Sequence, residues 1–416
     1  MRAQGFILSA ILAAIAASAF AAEGPQEQWL QYATSDTPYE VVGSMGGQQP
    51  KLTDKAPPGL VLPKFKSDKP LFALWKVKLD KPCPRVAADG GIWLAIDQFR
   101  KDGPYDLLYA DTKAEGSLAD ASPIKADASN EYPESNYDYA RFRQVRFTLP
   151  GPDGPVAYHA EIGYTRTGSE RYLYVNPACW YEGPVTIDGR KLWCVLLDNN
   201  ANTRFDDTAA DSGDCDRIRV APVGDKSFQN YASDQTTHFV GEYVQLGEKY
   251  HRVTISPDGA LVLFAPAATL PTGTIGIPDG VEVLALFGPK GHFFCKPAEG
   301  KATVPAGRYK LHSWRMIRKD ASGTAWQLED HRVRKEKAFD VEPDKQANLD
   351  SPEPLTWEVG AQFQKQTHEY SIYQQIQSHN GDFLDMTVAG RTRPAPRIRI
   401  TSADGKYDRT FTMEYG

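Results

Sequence analysis

Asp-Gly dipeptides set between short alternating runs constrain the fold of this chain more than any other sequence feature. Asp-Gly favours the tight turn that joins two antiparallel strands, so each such turn predicts a β-hairpin. Three hairpins are predicted in this way, around Asp188-Gly189, Asp258-Gly259 and Asp404-Gly405. The 30 prolines and 34 glycines also fit many short strands and turns. The sequence therefore predicts a mainly β protein.

Further alternating or apolar runs predict additional strands along the whole chain, and no amphipathic helix of three turns is predicted beyond the N-terminal segment. These runs are Leu71–Leu79, Trp93–Phe99, Gln144–Leu149, His159–Tyr164, Tyr172–Val175, Val281–Phe287, Arg308–Met316 and Trp326–Asp330. Polar, proline-rich stretches suggest the boundaries between them. We expect an irregular lead-in at 23–60 and two β-sandwich-type domains at 61–265 and 266–416.

The N-terminal segment resembles a secretory signal peptide at 1–22. Arg2 supplies a positive charge, an apolar run follows from Phe6 to Ala17, and Ala19-Phe20-Ala21 is a small-x-small cleavage signal. Cleavage after Ala21 and cleavage after Ala22 both fit. We therefore expect a secreted or periplasmic protein, with no membrane span after cleavage.

The net charge of −6 limits which partners the chain can bind, and the cysteine count limits which disulfide bonds it can form. A mildly acidic chain without a basic block argues against nucleic acid and against anionic membrane surfaces. Export permits disulfide bonds, but an odd number of cysteines leaves one thiol unpaired within the monomer. A bridge within Cys179, Cys194 and Cys215 would pin the segment between them, whereas Cys83 and Cys295 lie far away in sequence.

Residues Asp198–Asp207, here called the second acidic loop, carry the strongest binding signal. Oxygen-bearing side chains occupy its first, third and fifth positions, and this spacing makes alternate side chains converge as a Ca²⁺ site requires. The candidate ligands are the side chains of Asp198, Asn200 and Asn202, the carbonyl of Arg204, and Asp206 or Asp207. Asp211, Asp214 and Asp216 follow closely.

The second acidic loop resembles the calcium loop of the EF-hand superfamily over about a dozen residues. In that family the first, third, fifth, seventh and twelfth positions bind the ion. This chain has Thr203 at the sixth position, where a positive φ favours glycine, and Ala209 at the twelfth, where the family has glutamate. The resemblance therefore implies a weak Ca²⁺ affinity, with Kd on the order of 10⁻⁴–10⁻³ M. A purely structural turn, in which these side chains bond to their own backbone, is the other interpretation.

Residues Asp111–Asp120, here called the first acidic loop, repeat the pattern in weaker form. Asp111, Glu115 and Asp120 are retained, but Lys113 stands at the third position. Its ammonium would repel a cation and could replace one by pairing with Asp111 and Glu115. Both loops follow an apolar strand-like run, which indicates one strand-and-loop unit used twice.

The aromatic cluster Tyr172, Tyr174, Trp180 and Tyr181 allows two interpretations. Large aromatic side chains build β-sandwich cores, and exposed rings bind carbohydrate by stacking. Alternation places Tyr172 and Tyr174 on one strand face. We expect the cluster to belong to the core, and carbohydrate binding requires exposed, coplanar rings.

Two segments resemble known proteins. The segments YDLLYADTKAEGSLAD (105–120) and GRKLWCVLLDNNANTRFDD (189–207) resemble exported bacterial, planctomycete-like β-rich proteins of unknown function, which carry Asp-x-Asn-x-Asn loops. The segment ATVPAGRYKLHSW (302–314) is similar to a strand of carboxypeptidase-regulatory or transthyretin-like domains. The second resemblance implies an Ig- or transthyretin-like sandwich for 266–416, usually an accessory or adhesive domain.

The sequence carries no recognisable catalytic motif: neither His-Glu-x-x-His nor Gly-x-Ser-x-Gly occurs. We therefore expect that the protein is not an enzyme. We expect a structural or binding protein of the cell envelope, in which Ca²⁺ stiffens residues 198–216. Its partner would be a protein or a glycan. A carbohydrate-binding or accessory domain is the alternative, and a secreted hydrolase of unrecognised type is the third.

Overall fold

The computed structural model describes residues 26–43, 46–79, 90–132, 137–151, 154–208, 214–224, 236–330, 338–365, 368–388, 390 and 392–413. The predicted signal peptide at 1–22, with its two cleavage positions, lies outside the described residues. Strands dominate the described chain, which confirms the mainly β prediction. Within these ranges no helix has the length and apolar character to cross a membrane.

The described helix α1 spans Pro38–Val42. The first seventeen strands run in chain order as β1 Gln26–Trp29, β2 Gln31–Thr34, β3 Leu71–Lys76, β4 Gly91–Asp97, β5 Leu107–Ala110, β6 Ile124–Lys125, β7 Ala128–Tyr132, β8 Tyr137–Gly151, β9 Gly154–Thr167, β10 Glu170–Pro177, β11 Cys179–Ile187, β12 Arg190–Leu197, β13 Arg217–Ala221, β14 Thr237–Phe239, β15 Tyr243–Leu246, β16 Lys249–Ile255 and β17 Leu261–Pro266.

The other thirteen strands follow in the C-terminal part of the chain. They are β18 Thr272–Gly276, β19 Val281–Gly288, β20 Gly291–Cys295, β21 Lys301–Pro305, β22 Gly307–Lys319, β23 Ala325–Asp330, β24 Phe339–Val341, β25 Gln346–Asn348, β26 Thr356–Gln364, β27 Glu369–Gln377, β28 Phe383–Val388, β29 Arg397–Thr401 and β30 Asp408–Thr412.

All three hairpins predicted from Asp-Gly turns are confirmed. Strands β11 and β12 pair around Asp188-Gly189, β16 and β17 around Asp258-Gly259, and β29 and β30 around Asp404-Gly405. Gly189 has φ +71°, Gly259 +82° and Gly405 +72°. A side chain strains that left-handed conformation, so glycine lets each turn close without this cost.

Two antiparallel meanders position the acidic loops. One sheet has the order β3-β4-β5-β6, and another has the order β14-β13-β12-β11-β2. The first acidic loop leaves β5, and the chain returns as β6 beside it; the second leaves β12, and the chain returns as β13 beside it. Each loop is therefore the connection between two neighbouring antiparallel strands, as a repeated strand-and-loop unit requires.

The segment 23–60 is not irregular throughout. Strand β1 pairs with β17 and strand β2 pairs with β11, so this segment completes two sheets of the N-terminal part. A sequence rich in proline and polar residues hides such short edge strands, because four residues carry too little alternation to predict a strand.

Buried apolar side chains form two large clusters that divide near residue 265. One cluster joins buried residues from Leu30 to Phe264, and the other joins buried residues from Ile275 to Leu384. A smaller buried cluster joins Cys215 and Phe239 to Phe287 across this division, so the boundary between 61–265 and 266–416 stays a prediction. The assignment of each part to a β-sandwich remains a prediction.

Candidate functional site

Asp198 is the centre of the second acidic loop. It follows β12 directly and is fully buried. Its Oδ1 accepts the backbone N–H of Asn202 at 3.1 Å, and its Oδ2 accepts the backbone N–H of Thr203 at 2.7 Å. The hydroxyl of Tyr158 donates to the same Oδ2 at 2.8 Å. Asp198 therefore closes the turn by collecting donors from the loop and from β9.

Asn200 and Asn202 direct their side-chain oxygens at the loop backbone. Asn200 Oδ1 accepts the backbone N–H of Asn202 at 3.1 Å, and Asn202 Oδ1 accepts the backbone N–H of Arg204 at 3.0 Å. Their amide groups donate to Asp207 Oδ2, at 3.2 Å from Asn200 Nδ2. This is the network of Asx turns that the structural interpretation predicts.

Asp207 is paired with an ammonium group that the sequence pattern did not indicate. Lys78 donates from Nζ to Asp207 Oδ1, and its backbone N–H donates to the carbonyl of Asn202 at 2.8 Å. Burial favours a higher pKa for Asp207, but the hydrogen bonds from Lys78, Asn202 and Asn200 outweigh it and hold this pKa below its ordinary value.

Asp206 and Arg204 pair with each other. The guanidinium of Arg204 donates from Nε to Asp206 Oδ1 at 2.8 Å and from Nη2 to Asp206 Oδ2 at 2.7 Å. The structure therefore brings Asp198, Asn200, Asn202 and Asp207 together, while both oxygens of Asp206 are taken by Arg204. Among the described residues, no three His, Cys, Asp or Glu side chains are arranged to hold a metal ion. Calcium binding stays a prediction.

Asp216 directly precedes β13 and accepts hydrogen bonds on the opposite side of the second acidic loop. Its Oδ1 accepts the backbone N–H of Asn199 at 3.1 Å, and its Oδ2 accepts the backbone N–H of Asp207 at 2.8 Å. Burial raises the pKa values of both Asp198 and Asp216 above the ordinary carboxyl range, and their mutual repulsion adds to the effect at Asp216. The buried carboxyl groups of Asp198 and Asp216 thus lie beside the half-buried carboxylate of Asp207, which Lys78 contacts.

Two residues distant in sequence donate hydrogen bonds to the tip of the second acidic loop. The indole Nε1 of Trp75 donates to the carbonyl of Ala201 at 2.6 Å, and Gln48 Nε2 donates to the same carbonyl at 3.0 Å. Ala201 has φ +51° and Thr203 has φ +77°, so these bonds hold a backbone that non-glycine residues rarely adopt.

The first acidic loop adopts the same local geometry. Asp111 Oδ1 accepts the backbone N–H of Glu115 at 2.9 Å, and Oδ2 accepts that of Gly116 at 2.7 Å. The fourth and sixth positions, Ala114 and Gly116, have φ +53° and +75°. Leu118 is buried at the eighth position, as Phe205 is in the second loop. The two loops are a structural repeat.

Lys113 does not fill a cation position in the first acidic loop. Its side chain is exposed, and both oxygens of Asp111 are occupied by backbone N–H groups. In the described part of the chain no ion pair joins Lys113 to Asp111 or to Glu115, so the predicted substitution of an ammonium for the ion is wrong. Backbone donors satisfy the aspartate instead.

The predicted disulfide bridge is wrong for the described cysteines. Cys179, Cys194, Cys215 and Cys295 are buried, and none is joined to another by a disulfide bond; Cys83 lies outside the described residues. Cys194 lies opposite Gly183 on β11 and Val220 on β13, so neither Cys179 nor Cys215 is its cross-strand neighbour. Burial raises the thiol pKa values of Cys179 and Cys194 to about 12, which makes both thiols poor nucleophiles.

The aromatic cluster divides into a buried half and an outward-facing half. Trp180 and Tyr181 are buried on β11, which confirms the core prediction for these two residues. Tyr172 and Tyr174 lie on the outer face of β10, and Tyr174 is 37% exposed, so the core prediction is wrong for this pair. Their ring centroids lie 6.3 Å apart with an interplanar angle of 33°.

A cleft of about 580 Å³, lined by both polar and apolar side chains, lies beside Tyr172. One wall is the segment from Gln49 to Asp54, and the other is the turn from Ser169 to Tyr172 that opens β10. No sequence pattern indicated this cleft, because its two walls are more than a hundred residues apart along the chain. Comparison with protein-family models, with curated proteins and with solved structures finds no match, so its chemistry rests on its own geometry.

Proposed function

We propose that this chain is an exported, non-enzymatic structural or binding protein of the cell envelope. The observation that supports a binding role is the separation of the open cleft from the buried reactive groups. Asp198, Cys179 and His292 are buried, whereas the side chains that line the cleft include exposed polar ones such as Gln49, Thr53 and Ser169. A substrate held in the cleft would not touch these groups. The carboxyl groups that do line the cleft, those of Asp54 and Glu170, are exposed to solvent, whereas a carboxyl group that acts as a general acid is usually buried.

His292 illustrates this separation. Its ring lies among Phe239, Phe287 and Phe294, and burial, followed by the nearby His312, His238 and Arg217, lowers its pKa well below the ordinary value. A histidine in this position carries no charge at neutral pH. It stabilises the contact between β14 and β20 by packing, which is a structural role.

Fractionation and retention on isolated envelope material test this function. When the full-length chain is expressed, we expect the processed protein, cleaved after Ala21 or Ala22, to be recovered from the periplasm or the medium. We also expect the purified protein to bind isolated envelope material saturably and to release no soluble fragments over time. Recovery in the cytoplasm, or time-dependent release of sugars or peptides from the envelope, would contradict the proposal.

We also propose that Ca²⁺ binds weakly at the second acidic loop and stiffens residues 198–216. The supporting observation is that the buried carboxyl groups of Asp198 and Asp216 lie beside the half-buried carboxyl group of Asp207, and a divalent cation would relieve the repulsion among them. Lys78 contacts Asp207 and therefore competes with the ion for that carboxylate. Competition with an ammonium is a second reason, beside Thr203 and Ala209, to expect a Kd on the order of 10⁻⁴–10⁻³ M.

Thermal unfolding with and without Ca²⁺ tests the site through the variant Lys78→Met. If the wild-type Kd is about 1 mM, 10 mM Ca²⁺ adds about 1.4 kcal/mol of stability. We expect Lys78→Met to lower Tm without Ca²⁺ and to show a larger Tm increase with Ca²⁺ than the wild type, because the competing ammonium is gone. Lys113→Met, in the first acidic loop, is the matched control and should leave the Ca²⁺ response unchanged. A Tm that ignores millimolar Ca²⁺ in both the wild type and Lys78→Met, with no heat of binding, excludes the site.

A further inference from the structure

The cleft beside β10 is held open by two backbone anchors. Gln48 and Val175 exchange two N–H···O hydrogen bonds of 2.9 Å, which fasten the N-terminal segment to β10. Thr53 and Phe72 exchange a second pair, of 2.9 and 2.8 Å, which fasten the same segment to β3. The few residues between the anchors bridge two sheets. The cleft is therefore a built feature of the fold.

The charged side chains in the cleft balance each other. Lys51 and Arg171 are cationic, and Asp54 and Glu170 are anionic. No ion pair joins these four groups to one another in the described chain. A phosphate or carboxylate ligand would meet both anionic groups, and a cationic ligand would meet both cationic ones. The charge pattern therefore favours an uncharged ligand with many hydrogen-bonding groups.

Neutral polar groups and a guanidinium lie in the lining together with the apolar side chains of Pro50, Leu52 and Leu71. Gln49, Thr53 and Ser169 line the cleft and can each donate and accept hydrogen bonds. Arg171 lies with its guanidinium carbon 5.9 Å from the ring centroid of Tyr105, which is itself buried. This contact restricts the motion of the guanidinium, since a cation within about 6 Å of a ring face is attracted to it.

Tyr172 and Tyr174 provide an aromatic platform at the same edge. They are two residues apart on β10, so both rings leave the same face of the strand. Tyr172 lines the cleft, and Tyr174 extends the aromatic surface along the strand. A pyranose ring presents an apolar C–H face that stacks on tyrosine and a rim of hydroxyl groups that bonds to polar side chains.

From this combination we propose that the cleft binds an uncharged oligosaccharide. The rings of Tyr172 and Tyr174 are tilted by 33° and so are not the coplanar pair that the carbohydrate-binding interpretation required. Each ring therefore stacks on its own sugar ring, and the sugar hydroxyl groups bond to the polar side chains of both walls. The inference rests on the binding function proposed above and specifies the ligand class of that function.

Calorimetric titration of the purified protein with chitohexaose, cellohexaose and maltohexaose tests the inference. We expect at least one of these oligosaccharides to bind, and Tyr172→Ala and Tyr174→Ala each to weaken binding about tenfold. Tyr172→Phe keeps the ring and should stay within about twofold of the wild type. Tyr39→Ala is the matched control, because Tyr39 is 63% exposed and lies outside the cleft. Unchanged Tm values show that the variants fold.

Two results overturn the inference, and both differ from a failure of the proposed function. One is that none of the three oligosaccharides binds. The other is that an oligosaccharide binds equally well to the wild type and to both alanine variants, so that its site lies elsewhere. If the protein still binds isolated envelope material in either case, the binding function stands and the ligand class is wrong. If it binds neither, both proposals fail.

Discussion

The two acidic loops have the same backbone geometry but different surroundings. In both, an aspartate at the first position accepts the N–H groups of the fifth and sixth positions, Asn202 and Thr203 in one case and Glu115 and Gly116 in the other. The third position differs completely, with Asn200 in one loop and exposed Lys113 in the other. The loop conformation therefore depends on the first aspartate and the turn, and does not require the predicted metal ligands.

The second loop is tied to the rest of the molecule by side chains that the first loop lacks. The hydroxyl of Tyr158 donates to Asp198, the indole of Trp75 donates to Ala201, and Lys78 pairs with Asp207. The first loop is attached chiefly through backbone groups, such as the N–H of Leu118 to the carbonyl of Val61 at 2.9 Å. This difference indicates that the second acidic loop holds more of the surrounding chain in place than the first acidic loop does.

Removal of the first aspartate should give the largest difference between the loops. Asp198→Ala leaves the backbone N–H of Thr203 and the Tyr158 hydroxyl without an acceptor, and it leaves the N–H of Asn202 with Asn200 Oδ1 alone. Each buried group that loses its acceptor costs about 1–3 kcal/mol. We expect a loss of about 4 kcal/mol in the free energy of unfolding for Asp198→Ala. The matched variant Asp111→Ala strands two N–H groups and should lose about 2 kcal/mol. Urea titration measures both, and equal losses would show that the side-chain ties to the second loop add nothing.

The cost of Asp198→Ala should also depend on pH. The pKa of Asp198 is raised in the folded state, so this carboxyl contributes most below its ordinary pKa, and its contribution is lost as pH rises through the raised value. We therefore expect Asp198→Ala to lower the free energy of unfolding by about 1 kcal/mol more at pH 5 than at pH 8. Asp111 also has a raised pKa but has no buried partner like Asp216, so the pH effect of Asp111→Ala should be smaller. Urea titrations of the wild type, Asp198→Ala and Asp111→Ala at pH 5 and pH 8 measure this effect. A stability loss for Asp198→Ala that does not change with pH would contradict the raised pKa of Asp198.

Local patterns predicted the parts of the molecule that depend on neighbouring residues. The Asp-Gly dipeptides located three hairpins, and the spacing of Asp198, Asn200 and Asn202 located a loop in which all three side chains take part. Whether those oxygens face an ion or the backbone was left open, because the sequence does not tell where the ammonium of Lys78 lies. Lys78 reaches Asp207 from 129 residues away, and Gln48 reaches Ala201 from 153 residues away.

The aromatic cluster shows a second limit of sequence patterns. Alternation correctly placed Tyr172 and Tyr174 on one face of a strand, but only the tertiary fold determines which face is covered. The same holds for the cysteines, since sequence spacing does not fix cross-strand register. Cys194 lies opposite Gly183 and Val220, and no cysteine is its partner across either strand.

Substitutions at the sixth position of the two acidic loops should have the smallest effect on stability. Thr203 has φ +77°, a conformation that is strained for a β-branched residue, whereas Gly116 adopts φ +75° without strain. We expect Thr203→Gly to raise the free energy of unfolding by about 0.5–1 kcal/mol, because relief of strain outweighs the greater flexibility of glycine in the unfolded chain. The reciprocal change Gly116→Ala should lower it by a similar amount. Thermal and urea unfolding measure both, and a destabilised Thr203→Gly would mean that the threonine hydroxyl, 3.5 Å from the carbonyl of Lys78, contributes more than the strain costs.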